Sequence, residues 1–364
     1  MHSNLKRIPR SLSVILTVAL AGGCLVPPGI EAPAPEQIEH TLFLIGDAGE
    51  ADPRADRGGI PLDSLTAQMA EAPERSTVVY LGDNVYPAGI PREGAAEWAD
   101  ARRRLAAQVW AVPAGARGIF IPGNHDWAHE QPDGLYSIRE ADRMITALAG
   151  GRDVRQLPPD GCPGPVTMDT GRLRLILLDT QWWLHPYIVR DSATECTATI
   201  ASVTSELRRE VRAPGEGRVV VVAAHHPLMT GGEHGGYCGV TGPFRRFAGR
   251  VQDVMAGANR GMRDSIEAAF SGAPPLVFAA GHDHSLQVLR GGKNVDYILV
   301  SGAGSTSKGS CAVRLRESEY TSPHRAGFMR LDIMRDRGVL LRVYRYTPSG
   351  GGGLSWSSWL EPRS

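Results

Sequence analysis

The sequence predicts an α/β sandwich, and three observations predict it. Short apolar runs recur, each stopping at a Gly or Ala that is followed by carboxylate, amide or imidazole residues. Between them lie segments with apolar residues at helical spacing, and strand-like runs follow one another from Val295 to Tyr346. Strand–helix alternation followed by a run of strands is the element order of such a sandwich. At 364 residues the chain can bury a large core, as one big domain or as one domain with extensions.

The first strand is Thr41-Leu42-Phe43-Leu44-Ile45, which runs into Gly46-Asp47. Residues 50–62 are rich in Gly, Pro and Asp and read as loop, after which Asp63 is expected to cap a helix through Ala70. Thr77-Val78-Val79-Tyr80-Leu81 is a second buried strand, ending at Gly82-Asp83-Asn84-Val85-Tyr86. Glu97–Trp110 has a helical period with Trp98, Leu105, Val109 and Trp110 as its buried stripe, and Arg102-Arg103-Arg104 read as a solvated face. Gly118-Ile119-Phe120-Ile121 then leads to Gly123-Asn124-His125-Asp126, and Arg139–Leu148 repeats the helical pattern. Arg172–Asp179 is another buried strand, whose Asp179-Thr180 end is read as structural. A long helix over Thr194–Val211 precedes Val219-Val220-Val221-Val222-Ala223-Ala224, which ends at His225-His226-Pro227. A shorter helix over Gly261–Phe270 precedes Leu276-Val277-Phe278-Ala279-Ala280 and its Gly281-His282-Asp283-His284 end. Strands over Val295–Gly302, Gly327–Ile333 and Gly338–Tyr346 complete the domain, and 347–364 reads as a tail without chemistry.

A Gly-Asp at the end of one strand is an ordinary turn dipeptide. Its recurrence is what gives it weight. Ligands of open α/β sheets bind at the carboxyl ends of the strands. Five strands that deliver Asp, Asn and His to one such edge would assemble a single polynuclear metal site. His226 reads as a rim or structural neighbour of a ligand, and His185 and His324 as structural. Gly302-Ala303-Gly304-Ser305-Thr306-Ser307-Lys308 lacks the Gly-Lys pair of a Walker motif and reads as a rim loop whose backbone N–H groups face substrate.

Composition narrows the partners. Lys+Arg and Asp+Glu both total 39, so the zero net charge argues against a nucleic-acid or anionic-membrane binder. Lys6, Arg7 and Arg10 followed by apolar Leu12–Leu20 form a targeting segment too short to span a membrane comfortably. Ala21-Gly22-Gly23-Cys24 resembles a bacterial lipobox, departing from it in having Ala21 where Leu is preferred. The readings are a lipoprotein anchored through a lipid on Cys24, or plain secretion with cleavage nearby, with residues 25–39 as an extended tether and the domain over 40–346. Either way the destination is the cell envelope or beyond. Removing Cys24 leaves Cys162, Cys196, Cys238 and Cys311, an even number with three possible connectivities.

Gly46-Asp47-x-Gly49, Gly82-Asp83-Asn84-x-Tyr86, Gly123-Asn124-His125-Asp126, Ala224-His225-His226-Pro227 and Gly281-His282-Asp283-His284 resemble the five blocks of the calcineurin-like metallophosphoesterases. Many members carry a ligand His where this chain has Gly49. Gly49 together with Tyr86, and the Glu233-His234-Gly235 segment, resemble the small, tartrate-resistant type of purple acid phosphatase. The resemblance spans about residues 41–307. It implies the four-layer αββα form of the sandwich and a Cys196–Cys238 disulfide, leaving Cys162–Cys311.

It further implies two metal ions. Asp47, Asp83, Tyr86 and His284 would hold one, and two carboxylates with a phenolate suit Fe(III). Asp83, Asn124, His225 and His282 would hold the other, as Fe(II), Zn(II) or Mn(II). His125 and His234 are left to orient phosphate and protonate the leaving alcohol, with Asp126 orienting His125. The implied activity is hydrolysis of small phosphate monoesters through attack by a metal-bound hydroxide, with an acidic optimum. The alternatives are a phosphodiesterase or nucleotide pyrophosphatase on the same site and, less favoured, a non-catalytic envelope lipoprotein that binds phosphate or metal.

Overall fold

The computed structural model describes residue 30 and residues 33–50, 59–187, 196–215, 217–238, 242, 245, 250–305, 309–336, 338–347 and 349–363. The leader with its lipobox at Cys24, residues 25–29, 31 and 32 of the tether, and Thr306–Lys308 lie outside the described residues. No helix among the described residues is long and apolar enough to cross a membrane.

The first half of the chain alternates β1 (Ile38–Ile45), α1 (Ile60–Met69), β2 (Ser76–Tyr80), α2 (Trp98–Trp110), β3 (Arg117–Phe120), α3 (Gly134–Ala149) and β4 (Val154–Gln156). The second half opens with a hairpin of β5 (Val166–Thr170) and β6 (Leu173–Leu177). It continues through α4 (Gln181–Leu184), α5 (Ile200–Arg212), β7 (Val219–Ala223), α6 (Gly257–Phe270) and β8 (Val277–Ala280). Then come β9 (Leu286–Arg290), β10 (Tyr297–Ser301), β11 (Ser318–Ser322), β12 (Ala326–Met334), β13 (Val339–Tyr346) and β14 (Gly352–Trp359).

These strands form two seven-stranded mixed sheets, ordered β14-β13-β12-β1-β2-β3-β4 and β11-β9-β10-β8-β7-β6-β5. In the first, β1 to β4 are parallel. In the second, β6, β7, β8 and β10 are parallel. The period-two alternation of each strand decides the layering, because both sheet faces are apolar. Leu42, Leu44, Val79 and Ile119 meet Leu175, Val221, Ala279 and Leu299 between the sheets. Phe43, Ile45 and Phe120 turn outward onto Leu62, Leu105 and Ile145 of α1, α2 and α3. On the far side, Ile176, Val222 and Phe278 pack on Leu207 of α5 and Ile266 of α6. The architecture is therefore the expected α/β sandwich in four layers, αββα.

Several local expectations change. Helix α1 begins at Ile60 rather than at Asp63, because Pro61 fits the first turn, where its missing N–H costs nothing. Trp110 is 59% exposed and not part of the stripe. The buried positions of α2 are Ala101, Leu105, Ala106, Gln108 and Val109. The long helix before β7 begins at Ile200, capped by Thr199, whose Oγ1 accepts from Ser202 N at 3.1 Å. The segment read as a tail supplies β14, an edge strand antiparallel to β13.

The disulfides also differ from the expectation: Cys162 pairs with Cys196 and Cys238 with Cys311, across Cα distances of 5.7 and 6.1 Å. Backbone pairing explains the second. Gly232 bridges Ala312, and Val313 N donates to Gly231 O at 2.9 Å, which lays the 231–238 loop along the segment holding Cys311. Asp179 N donates to Pro163 O at 3.0 Å, which ties the turn of Cys162 to the end of β6. Non-reducing peptide mapping is expected to recover these two linked pairs and no Cys196–Cys238 peptide.

His40 on β1 is buried against Thr77 of β2, with Nε2 3.0 Å from Oγ1. Burial, reinforced by the Arg117 charge, pushes it down to about 4 from 6.5. The unfolded chain thus takes up a proton below about 6.5 that the folded chain refuses until about 4, so stability falls across that window as pH drops. The loss is roughly 3 kcal/mol. Denaturant unfolding is expected to show that His40→Asn reduces the loss of stability between pH 7 and pH 4 by roughly 3 kcal/mol relative to the unsubstituted protein.

Candidate metal centre

All five predicted blocks sit at the carboxyl ends of parallel strands: Asp47 after β1, Asp83 and Tyr86 after β2, Asn124 after β3, His225 after β7 and His282 with His284 after β8. The two sheets come within main-chain contact here. Gly46 N donates to Ser301 O at 2.7 Å, and Gly304 N to Gly46 O at 2.9 Å. Asp47, Asp83 and His282 adopt left-handed φ values of 58°, 55° and 69°. Such conformations are uncommon for residues with a Cβ and concentrate at functional sites. Gly123 is required by close approach, since a Cβ there would stand 2.3 Å from Asp83 Oδ1.

The first donor set surrounds the Tyr86 hydroxyl, which lies 3.0 Å from Asp47 Oδ1, 3.1 Å from Asp83 Oδ2 and 3.0 Å from His284 Nε2. Donors held at right angles on bonds of about 2.1 Å stand about 3.0 Å apart, so the spacing fits one cation. Burial and the Asp47 and Asp83 charges push the Tyr86 phenol well above its usual range. Burial opposes a charge on His284, but Asp47 and Asp83 outweigh it and raise it to about 9. Both shifts report concentrated negative charge, which a highly charged cation would neutralise. At Gly49 a Cβ would meet the Asn84 carbonyl carbon at 2.2 Å, so no side-chain ligand fits at that position.

The second set is defined by its tautomers. His225 Nδ1 lies 2.8 Å from Leu81 O, and His282 Nε2 lies 3.0 Å from Gln252 O. A carbonyl only accepts, so these nitrogens carry the protons. The other nitrogens, His225 Nε2 and His282 Nδ1, then face each other at 3.1 Å, at 3.0 and 3.1 Å from Asn124 Oδ1. Burial opposes a charge on His225, but Asp83 and Asp47 outweigh it and raise it, so a cation bound here would take the place of the proton on His225 Nε2. Burial, with the neighbouring histidines, holds His282 well below its usual value, consistent with neutral imidazole.

Asp83 joins the sets. Its Oδ2 faces Tyr86, and its Oδ1 lies 3.5 Å from His225 Nε2. Burial works against its ionisation, but His225, His125, the His125 backbone N–H and His284 outweigh it and hold the carboxyl at about 2. The residues present therefore fit two cations sharing one carboxylate.

The surrounding residues include surprises. His226 is fully buried, which agrees with the structural and not the rim reading of it. Its Nδ1 is 2.9 Å from Thr180 Oγ1 and its Nε2 2.6 Å from Gln252 Oε1, so both nitrogens are engaged. Asp126 does not orient His125. Its oxygens accept from Gly123 N, Asn84 N, Val85 N and Asn84 Nδ2, stapling the Asp83 loop to the Asn124 loop. Burial, then the Asp83 charge, still raise it to about 7. The partner of His125 Nδ1 is Pro87 O, leaving Nε2 3.9 Å from Asp83 Oδ2.

His234 stacks on His282 with ring centroids 3.8 Å apart, and its Nδ1 lies 3.0 Å from Asp253 Oδ1. Sequence reasoning missed Asp253 and Gln252, since neither belongs to a block or follows a strand. Asp179 accepts from Trp127 Nε1 at 2.8 Å and is structural, as expected. In the 302–308 loop, Gly302 N and Gly304 N donate to Ser285 O and Gly46 O, so these two N–H groups are engaged within the protein.

No family model matches the chain, and no curated protein is found similar to it. Among solved structures, the fold is shared with GAP50, described as the anchor in the inner membrane complex of Plasmodium. The identity is 13% and the TM-score 0.57, over 90% of each chain. It is also shared with the purple acid phosphatase PPD1 from seeds of yellow lupin (Lupinus luteus), at 15% identity and a TM-score of 0.59. That match covers 90% of this chain and 55% of the lupin chain. The fold of the metallophosphoesterases, expected from the five blocks, is thus the one observed.

Gly123→Ala is expected to displace Asp83 and lower stability by about 1–3 kcal/mol. Metal analysis should find fewer than two ions bound per chain.

Proposed function

We propose that this chain is an exported, dinuclear-metal phosphomonoesterase of the purple acid phosphatase type. The observation that carries the reading is the pair of donor sets that share Asp83, one anionic and one neutral. Asp47, Asp83, Tyr86 and His284 would hold Fe(III), and Asp83, Asn124, His225 and His282 would hold Fe(II), Zn(II) or Mn(II). Such an ion pair supplies Lewis-acid grip on phosphoryl oxygens and ionises a water.

The remaining work falls to protein groups. His125 and His234 each have Nδ1 engaged, by Pro87 O and by Asp253, so each offers Nε2 to the site. We assign them to binding phosphoryl oxygens and to delivering a proton to the leaving alcohol. Asp253 holds His234 in its tautomer as a carboxylate partner. Asp126 acts as the staple described above and not through His125. Two disulfides support an oxidising compartment and hence export, with Cys24 as the site of a lipid or of nearby cleavage.

The visible spectrum of the purified, unreduced protein tests the metal assignment. A phenolate on Fe(III) should give a charge-transfer band and a pink or purple colour, which Tyr86→Phe removes. A colourless protein that binds two ions and cleaves monoesters would replace the iron assignment with Zn or Mn. Faster cleavage of a bis-aryl diester than of an aryl monoester would make the enzyme a diesterase instead. Asp83→Ala is expected to abolish phosphate release, and a metal-loaded protein that turns over neither ester would end the enzymatic reading.

A further inference from the structure

Directly after the Asn124 block the backbone makes a turn in which Ala128, His129 and Glu130 have φ values of 51°, 51° and 68°. None is Gly. Each such residue costs about 1–2 kcal/mol, so three in succession are retained only where the surroundings over-determine them. Several contacts do so. His129 N donates to Asn124 O at 3.0 Å, Glu130 N to Trp127 O at 3.2 Å, and Gln131 N to Ala128 O at 3.2 Å. Trp127 is fully buried. The Glu130 carboxylate accepts from Gln252 Nε2, whose own carbonyl groups engage His226 and His282.

What this clamped turn presents is the His129 ring. It meets the His125 ring edge to face, with centroids 4.5 Å apart and planes at 68°. The Tyr86 ring also packs on it, with centroids 4.4 Å apart and planes at 51°. The His125 ring thus packs against both a phenol and an imidazole, with Nδ1 on Pro87 O and Nε2 toward Asp83. A half-turn of the ring about Cβ–Cγ would put Cδ2 at Pro87 O and Cε1 toward Asp83, so Nδ1 would lose the carbonyl that fixes its proton and Nε2 would leave its place. His129 packs where it opposes that motion.

We propose that His129 is a positioning residue for His125, and that the left-handed turn is retained because it keeps His125 Nε2 aimed at the metal pair. The kinetic consequence rests on the phosphatase reading, whereas the ring orientation does not. His129 itself is exposed, so its replacement should leave the fold intact.

The test uses full-length protein loaded with diamagnetic zinc and labelled with nitrogen-15 at histidine. Long-range proton–nitrogen spectra read the tautomer of His125. The unsubstituted protein should show a single form protonated at Nδ1. His129→Ala should show exchange between both forms, and His129→Phe, which restores a ring edge without a titratable nitrogen, should return the single form. Metal content and melting temperature are expected to be unchanged in both variants.

With p-nitrophenyl phosphate, His129→Ala should lower kcat/KM about tenfold and His129→Phe should recover most of it. A His125 signal unaltered in His129→Ala would overturn the proposal. So would equal losses in both variants, which would mark His129 as a substrate contact. Absence of turnover in the unsubstituted protein would refute the phosphatase reading and leave the tautomer measurement decisive for this one.

Discussion

The placement of one buried carboxylate, Asp83, constrains much of this molecule. For its two oxygens to serve two donor sets, loops from β1, β2 and β3 must meet loops from β7 and β8, which belong to the other sheet. Neither sheet alone completes either set: His284 joins three groups from the first sheet, and His225 and His282 join Asn124 and Asp83. The apolar layer between the sheets therefore does more than stabilise the fold, since it fixes the separation at which strand ends can touch. Main-chain bonds such as Gly46 N to Ser301 O lock that separation at the site. Asp126 adds a second lock by gathering N–H groups from two ligand loops onto one carboxylate.

A single device recurs among the imidazoles. His125, His225 and His282 each have one ring nitrogen on a backbone carbonyl, of Pro87, Leu81 and Gln252 respectively. A carbonyl cannot donate, so each contact decides which nitrogen is left bare. His234 uses the Asp253 carboxylate for the same purpose. The tautomers of the site are thus written largely in the backbone carbonyls that the loops present, with neighbouring side chains holding the rings against them.

The shared fold does not by itself settle what the chain does. One structural neighbour is described as an anchor and another as a phosphatase, at nearly equal similarity. The separating feature is chemical: two donor sets share Asp83, and the protons that His284 and His225 hold beside the carboxylates are ones that cations would replace. Burial makes this sharper, since the same low-dielectric surroundings that raise the Tyr86 phenol would strengthen its hold on a charged ion.

The sequence by itself determined the strands that carry chemistry. An apolar run stopping at Gly or Ala before Asp, Asn or His is a local pattern, and it located Asp47, Asp83, Asn124, His225, His282 and His284 at strand ends. The layered fold was equally legible, because strand period and helical spacing are local too. Only the tertiary structure decided the disulfide partners, the freedom or engagement of His226, and the true partners of His125 and Asp126. Asp253 and Gln252 belong to the same class. Each depends on which loops lie side by side, and that is set by the packing of two sheets whose members are far apart in the chain. A pairing such as Gly232 with Ala312 leaves no periodic trace in either segment, so no local pattern records it.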